Sequence, residues 1–195
     1  MMYFIGANAH YHSAMVGRVG SSRARIGLYV LVGTAVTTSV LALIAHVAAE
    51  PLLFPSLGPT IFIVFYSPLS PQAAPRNVIC GQLIGIGCGY AALWVFGLQD
   101  ATADIFHISG RTVGAVVLAL TLTLSLMVWM NVVHAPAGAT TLIVALGLIH
   151  TVPSLIALVV GVLVCVILAF WINRLVGIPV PAWKPITGDR FPVRQ

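Results

Sequence analysis

Apolar residues run almost unbroken over Ile26–Ala49, Val78–Leu98, Thr112–Met130 and Val152–Ile172. Each run suffices for a helix across a bilayer, which takes about 20 residues at 1.5 Å per residue. The first run far exceeds the apolar core of a signal peptide, about 7–15 residues, and is read as a retained helix. Two shorter apolar segments lie between the long ones: "EPLLFPSLGPTIFIVFY" at residues 50–66, and Ala137–Ile149. Each opens on proline and glycine, so each predicts a broken or half helix. The order is span, broken segment, span, twice over. "PSLGPTIFIVF" and "APAGATTLIVA" align so that Gly58 faces Gly138, Thr60 faces Thr140 and Ile63 faces Ile143. The expected fold is an all-α membrane protein of six hydrophobic segments arranged as two three-segment repeats. Residues 1–25 form an N-terminal arm, 26–98 the first repeat, 99–111 a loop, 112–173 the second repeat and 174–195 a tail. Paired, proline- and glycine-interrupted segments in two halves are the sequence pointer to a transporter's binding site.

Composition supports a bilayer as the solvent. Of 195 residues, 59% are hydrophobic and 7% charged, and the mean hydropathy is +1.05. Soluble domains carry about 25% charged residues. The formal charge of +5 is therefore read as membrane topology and not as nucleic-acid binding. With six crossings, one side holds Arg18, Arg23, Arg25, Arg76, Arg174, Lys184, Arg190 and Arg194. The other holds Arg111 with Glu50, Asp100 and Asp104. By the positive-inside rule both termini are cytoplasmic, and a bacterial inner (plasma) membrane is the expected location. Four crossings would leave the charge count unchanged and make the repeats parallel. Six make them inverted, and the non-helical start of residues 50–66 favours six, because extended chain covers about 3.3 Å per residue.

The candidate chemistry gathers at the broken segments. Pro59 and Pro136 mark helix starts, where the missing N–H is not needed. A helix that begins inside the membrane has amide groups without internal partners, each costly in hydrocarbon. Ser56, Thr60, His134, Thr140, water or a ligand would satisfy them. Such N-termini carry about half a positive charge and favour an anion. Gly58 and Gly138 are expected to let backbone approach closely. No Asp or Glu lies inside an apolar run, which argues against a cation carrier. His46 and His150 are interfacial by position. Gly81, Gly85 and Gly89 recur every four residues and form a smooth face, either an internal seam or the seam of a homodimer or higher homo-oligomer. Gln82 in the same run either bonds a neighbouring helix or lines a pathway. Thr34, Thr37, Thr38, Thr121, Thr123 and Ser125 are assigned to bonds with their own helix backbone. Cys80, Cys88 and Cys165 lack paired spacing and are packing residues. His10 and His12 have no partners for a metal, and no nucleotide, zinc or hydrolase motif is present. No cofactor and no enzymatic activity are expected.

"HAPAGATTL" at 134–142, "APRNVICGQLIG" at 74–85 and "SLGPT" at 56–60 resemble the recurrent stretches of the HPP integral membrane proteins. The resemblance covers roughly residues 26–173. Ala135 stands for the first proline of the motif, Pro59 and Thr60 for Ala and Ser, and Gln82 for His. Membership would imply a small membrane transporter, with nitrite associated with plant and cyanobacterial members. The matching positions are His134, Pro136, Gly138 and Thr140, and Arg76 and Asn77. The expected substrate site is thus Ser56, Gly58, Thr60, Arg76, Asn77, Gln82, His134, Gly138 and Thr140, with a small anion and the lipid bilayer as partners. A non-transporting subunit and an intramembrane enzyme are the competing readings.

Overall fold

The computed structural model describes Val19 and residues 22–50, 52–100, 103 and 106–186. Most of the N-terminal arm, including His10 and His12, and the tail beyond residue 186 lie outside the described residues. The described residues form six α-helices and no strand: α1 (Arg23–Ala48), α2 (Leu57–Tyr66), α3 (Pro75–Val95), α4 (Gly110–Trp129), α5 (Ala137–Ala145) and α6 (Val152–Leu175), with a 3₁₀ turn at Pro71–Ala73. Four helices are long and apolar enough to span a membrane: α1, α3, α4 and α6. The described elements are therefore all helical, with the helix lengths and composition of an integral membrane protein.

Helix ends fall where local chemistry sets them. Pro75 and Pro153 occupy the first turns of α3 and α6, where proline costs no hydrogen bond. Ser109 and Thr151 cap α4 and α6 by accepting from Thr112 N–H and Ser154 N–H. At Gly97 and Gly177 the chain turns left-handed, with φ of 62° and 85°. Each glycine closes the same wrap. Leu98 N–H returns to Leu93 O at 2.8 Å, and Ile178 N–H to Asn173 O at 2.9 Å. The third helix accordingly ends at Val95, three residues before the end of its apolar run.

The short helices begin differently from the sequence expectation. Pro136 is the N-cap of α5, and Pro59 is the third residue of α2. The first amides of α5 are not left open. Ala137, Gly138 and Ala139 N–H bond to the carbonyls of His134, Ala135 and Pro136 at 3.0–3.1 Å, a tight first turn that supplies its own acceptors.

Packing exchanges the third helix of each triplet. α3 packs most extensively on α5 and α4, whereas α6 packs on α2, α3 and α1. In the apolar stretches of α1 and α4 only 22% of residues are buried, against 44% in α3 and 39% in α6, so α3 and α6 are the central pair. Glycine makes the contacts of this pair close. A Cβ at Gly85 would stand 2.7 Å from Ala137 O, one at Gly89 2.8 Å from Val144 Cβ, and one at Gly161 2.7 Å from Leu52 O. The Gly81–Gly85–Gly89 face is thus an internal seam that seats α5. Gly58 and Gly138 do not have the role expected of them. A Cβ at Gly58 would meet nothing within 4 Å, and one at Gly138 only Leu120 Cδ1 at 3.7 Å.

Contacts near the termini order the helices. The Tyr29 hydroxyl donates to Asn173 Oδ1, and Asn173 Nδ2 donates to Val64 O at 3.1 Å. The start of α1 therefore meets the ends of α2 and α6. Arg76 N–H donates to Trp183 O at 3.1 Å, which brings the start of α3 to the chain beyond α6. At the opposite end of α3, Ala92, Leu93 and Leu98 cluster with Ala115 and Ala119 of α4 and with Val144 and Ala145 of α5.

Candidate functional site

The two short helices are joined through the fourth residue of each, a threonine two positions after a glycine. Thr60 of α2 and Thr140 of α5 are both fully buried, and Gln82 of α3 lies between them, 1% exposed. The Thr140 hydroxyl donates to Gln82 Oε1. Gln82 Nε2 donates to Thr60 Oγ1 at 3.2 Å. Thr60 Oγ1 also lies 3.1 Å from His134 Nε2 and 3.0 Å from Ser56 O. His134, fully buried, places Nδ1 2.8 Å from Gln72 O. A carbonyl only accepts, so Nδ1 carries a hydrogen. Gln72 Oε1 in turn accepts from Ala135 N–H at 3.1 Å.

Backbone geometry holds this chain of bonds. Gly81 admits the His134 side chain, since a Cβ there would be 2.9 Å from His134 Cβ. The left-handed Asn131, φ 52°, turns the chain from α4 into the non-helical stretch before Pro136. Thr60 and Thr140 sit one turn inside their helices, where the partial positive charge of the N-terminus is still felt. Burying a polar group in an apolar bundle is costly without a partner, and Gln82 is bonded at both ends.

Thr60, Gln82, His134 and Thr140 of the expected residues thus come together directly. Ser56 joins through its carbonyl, while its hydroxyl is buried with no hydrogen-bond partner among the described residues. Gly58 and Gly138 each stand two residues before a threonine of the network. Arg76 and Asn77 lie apart from it. The Arg76 guanidinium bonds Met130 O and Asn131 O, each at 3.3 Å, and closes the C-terminus of α4. Asn77 Nδ2 donates to Pro71 O at 2.9 Å and pins the 3₁₀ turn that carries Gln72.

Sequence reasoning missed Gln72, Thr123 and Thr141. Gln72 sits in an ordinary-looking proline-rich loop and carries no signal of its own. Thr123 was assigned to its own helix, yet it is buried and receives Thr141 Oγ1 at 3.0 Å, a bond between α4 and α5. Thr141 stands beside Thr140 and across from Gly85, so its place followed from the helical register once the glycine seam was assigned to α5.

The model of the HPP transmembrane region matches residues 20–181. The chain belongs to the HPP family. A transmembrane protein of Dictyostelium discoideum is 31% identical over 100 residues, which cover 51% of this chain and 32% of that protein. The match spans about a third of that relative's length. No solved structure matches the chain. The HPP-region match takes in all six helices and every residue of the Thr60–Gln82–Thr140–His134 network.

Proposed function

We propose that this HPP protein passes a small anion, nitrite first, across the membrane through the junction of α2 and α5. The observation that carries the reading is the bridge made by Gln82 between the threonines that occupy matching places in the two short helices. Two helix N-termini converge there, and no acidic side chain lies in any of the six helices, so the local field favours negative charge. The described side chains occupy the junction and bond one another. The conformation is therefore read as occluded, and an anion enters by displacing Gln82 from Thr60 and Thr140.

The same reading makes the protein two inverted repeats. Thr60 with Thr140 and Gly97 with Gly177 share one sequence offset, as do Gly161 with Gly81 and Leu52 with Val132. Leu52 O lies 2.7 Å from a Cβ at Gly161, and Val132 O 3.5 Å from a Cβ at Gly81. On this reading a non-helical stretch followed by a short helix carries each interposed segment from one end of the bundle to the other. α2 finishes beside Tyr29 and Asn173, and α5 finishes in the cluster at the far end of α3. Six crossings result. The end that holds Arg23, Arg25, Arg76, Arg174 and Lys184 is then cytoplasmic.

A second reading has one specific support: the mutual bonding of Thr60, Gln82, Thr140 and His134 is also what a purely structural core requires. The reconstituted protein separates the two. Vesicles holding the protein are expected to take up nitrite or formate faster than protein-free vesicles. Thr140→Val is expected to slow uptake on the order of tenfold, the equivalent of one buried hydrogen bond, while Thr140→Ser retains most of it. Uptake equal to that of protein-free vesicles for every small anion tried returns the protein to the structural reading.

A further inference from the structure

We propose that the anion travels with one proton, arriving as its conjugate acid and leaving that proton on His134 Nε2 while it occupies the site. The substrate class is then the small monovalent anions of weak acids, and anions of strong acids are excluded. This rests on the transport reading above.

The argument begins with hydrogen accounting at Thr60. Its oxygen has one hydrogen and two lone pairs. One lone pair takes the hydrogen of Gln82 Nε2 at 3.2 Å. The single hydroxyl hydrogen faces two acceptors, His134 Nε2 at 3.1 Å and Ser56 O at 3.0 Å. If it points to His134, the ring is neutral and both its nitrogens are bonded. If it points to Ser56 O, the second lone pair of Thr60 is free to accept a hydrogen from Nε2, and the ring is a cation with both nitrogens again bonded. One set of heavy-atom positions therefore serves both protonation states. Only a hydroxyl rotor turns between them.

The charge balance gives that rotor its use. An anion brought into a low-dielectric interior needs a compensating cation. The network contains no lysine or arginine. From α3, Arg76 already has its guanidinium on Met130 O and Asn131 O, and Cys80 packs among Met127, Val132 and Ala137. α2 presents Ser56 and Thr60, the 3₁₀ turn Gln72, and α4 Met127. None of these elements presents a carboxylate that would hold His134 permanently charged. The cation is present only when a proton is.

The step balances simply. The O–H bond of the conjugate acid breaks, and its electron pair stays on the anion. An N–H bond forms at His134 Nε2, and the Thr60 hydrogen turns from the ring to Ser56 O. Release reverses each change, so one proton and one anion cross together without net charge.

The test uses the wild-type protein in vesicles with a trapped pH dye, with the membrane potential clamped by potassium and valinomycin and protein-free vesicles subtracted. External nitrite or formate is expected to acidify the lumen, at a rate independent of the clamped potential. That rate should fall roughly tenfold per pH unit above neutrality, as the conjugate acid becomes scarcer. Nitrate and chloride should give neither flux nor acidification. His134→Gln, whose amide still reaches Thr60 but does not titrate, should lose the acidification while keeping the wild-type melting profile. Nitrite flux that follows the potential without proton uptake overturns the proton coupling and leaves the transporter standing. Absence of flux for every anion overturns both.

Discussion

Gly85→Ala tests the way α5 is seated. The new Cβ would stand 2.7 Å from Ala137 O and 2.9 Å from Thr141 Oγ1. The first contact is with backbone at the opening of a helix, so no side-chain rotation relieves it. α5 must move away from α3, and with it Thr140, which bonds Gln82. Gly87, two residues on along the same helix, is the matched control, because a Cβ there meets nothing within 4 Å. Both substitutions gain the same helix propensity, about 1 kcal/mol for Gly to Ala. That gain cancels in the comparison and leaves the overpacking cost, about 1–3 kcal/mol. Tryptophan fluorescence during heating in detergent reads the difference. Gly87→Ala should melt at or above the wild-type temperature and Gly85→Ala clearly below it. Gly85→Ala should also lose anion uptake, as the Gln82–Thr140 bond opens. Equal melting of the two variants would refute the packing of α5 on the glycine face.

Ala49 adopts φ 52° at the end of α1, a left-handed conformation that costs an L residue about 1–2 kcal/mol. Ala49→Gly should therefore raise the melting temperature, whereas the same change at Ala42, inside the helix, should lower it. Arg76→Ala removes two bonds to the carbonyls that end α4 and should destabilise by about 1 kcal/mol, with Arg76→Lys only partly restoring it for lack of a planar fork. Neither Arg76 variant should change the ratio of nitrite to formate uptake, because the guanidinium does not reach the Thr60–His134 network.

The four long helices were legible because hydrocarbon imposes one requirement on them, some 20 apolar residues with an internally bonded backbone. The two short helices were legible through Pro59, Gly58, Pro136 and Gly138, which interrupt apolar sequence in corresponding places. Their boundaries were not. Residues 146–149 continue the apolar run after α5, but Gly147 turns left-handed, φ 75°, and ends the helix. Of the site, Thr60, Gln82, His134 and Thr140 were named in advance because polar groups in a greasy run need partners. Arg76 and Asn77 were grouped with them by motif, yet their bonds go to Met130, Asn131 and Pro71. A motif marks residues that matter together without saying which touch which.

By itself the sequence determined the solvent, the helical class and the two interruptions, since each follows from whether a stretch of backbone and side chain tolerates hydrocarbon. Only the tertiary structure decided that α3 serves α5 and α4 while α6 serves α1 and α2, that the glycine face is internal, and that His134 and Thr60 share a hydrogen. Those are contacts between residues far apart in the chain. Apolar helices of similar composition have many acceptable neighbours, and shape alone, here the missing side chains of Gly81, Gly85, Gly89 and Gly161, selects among them.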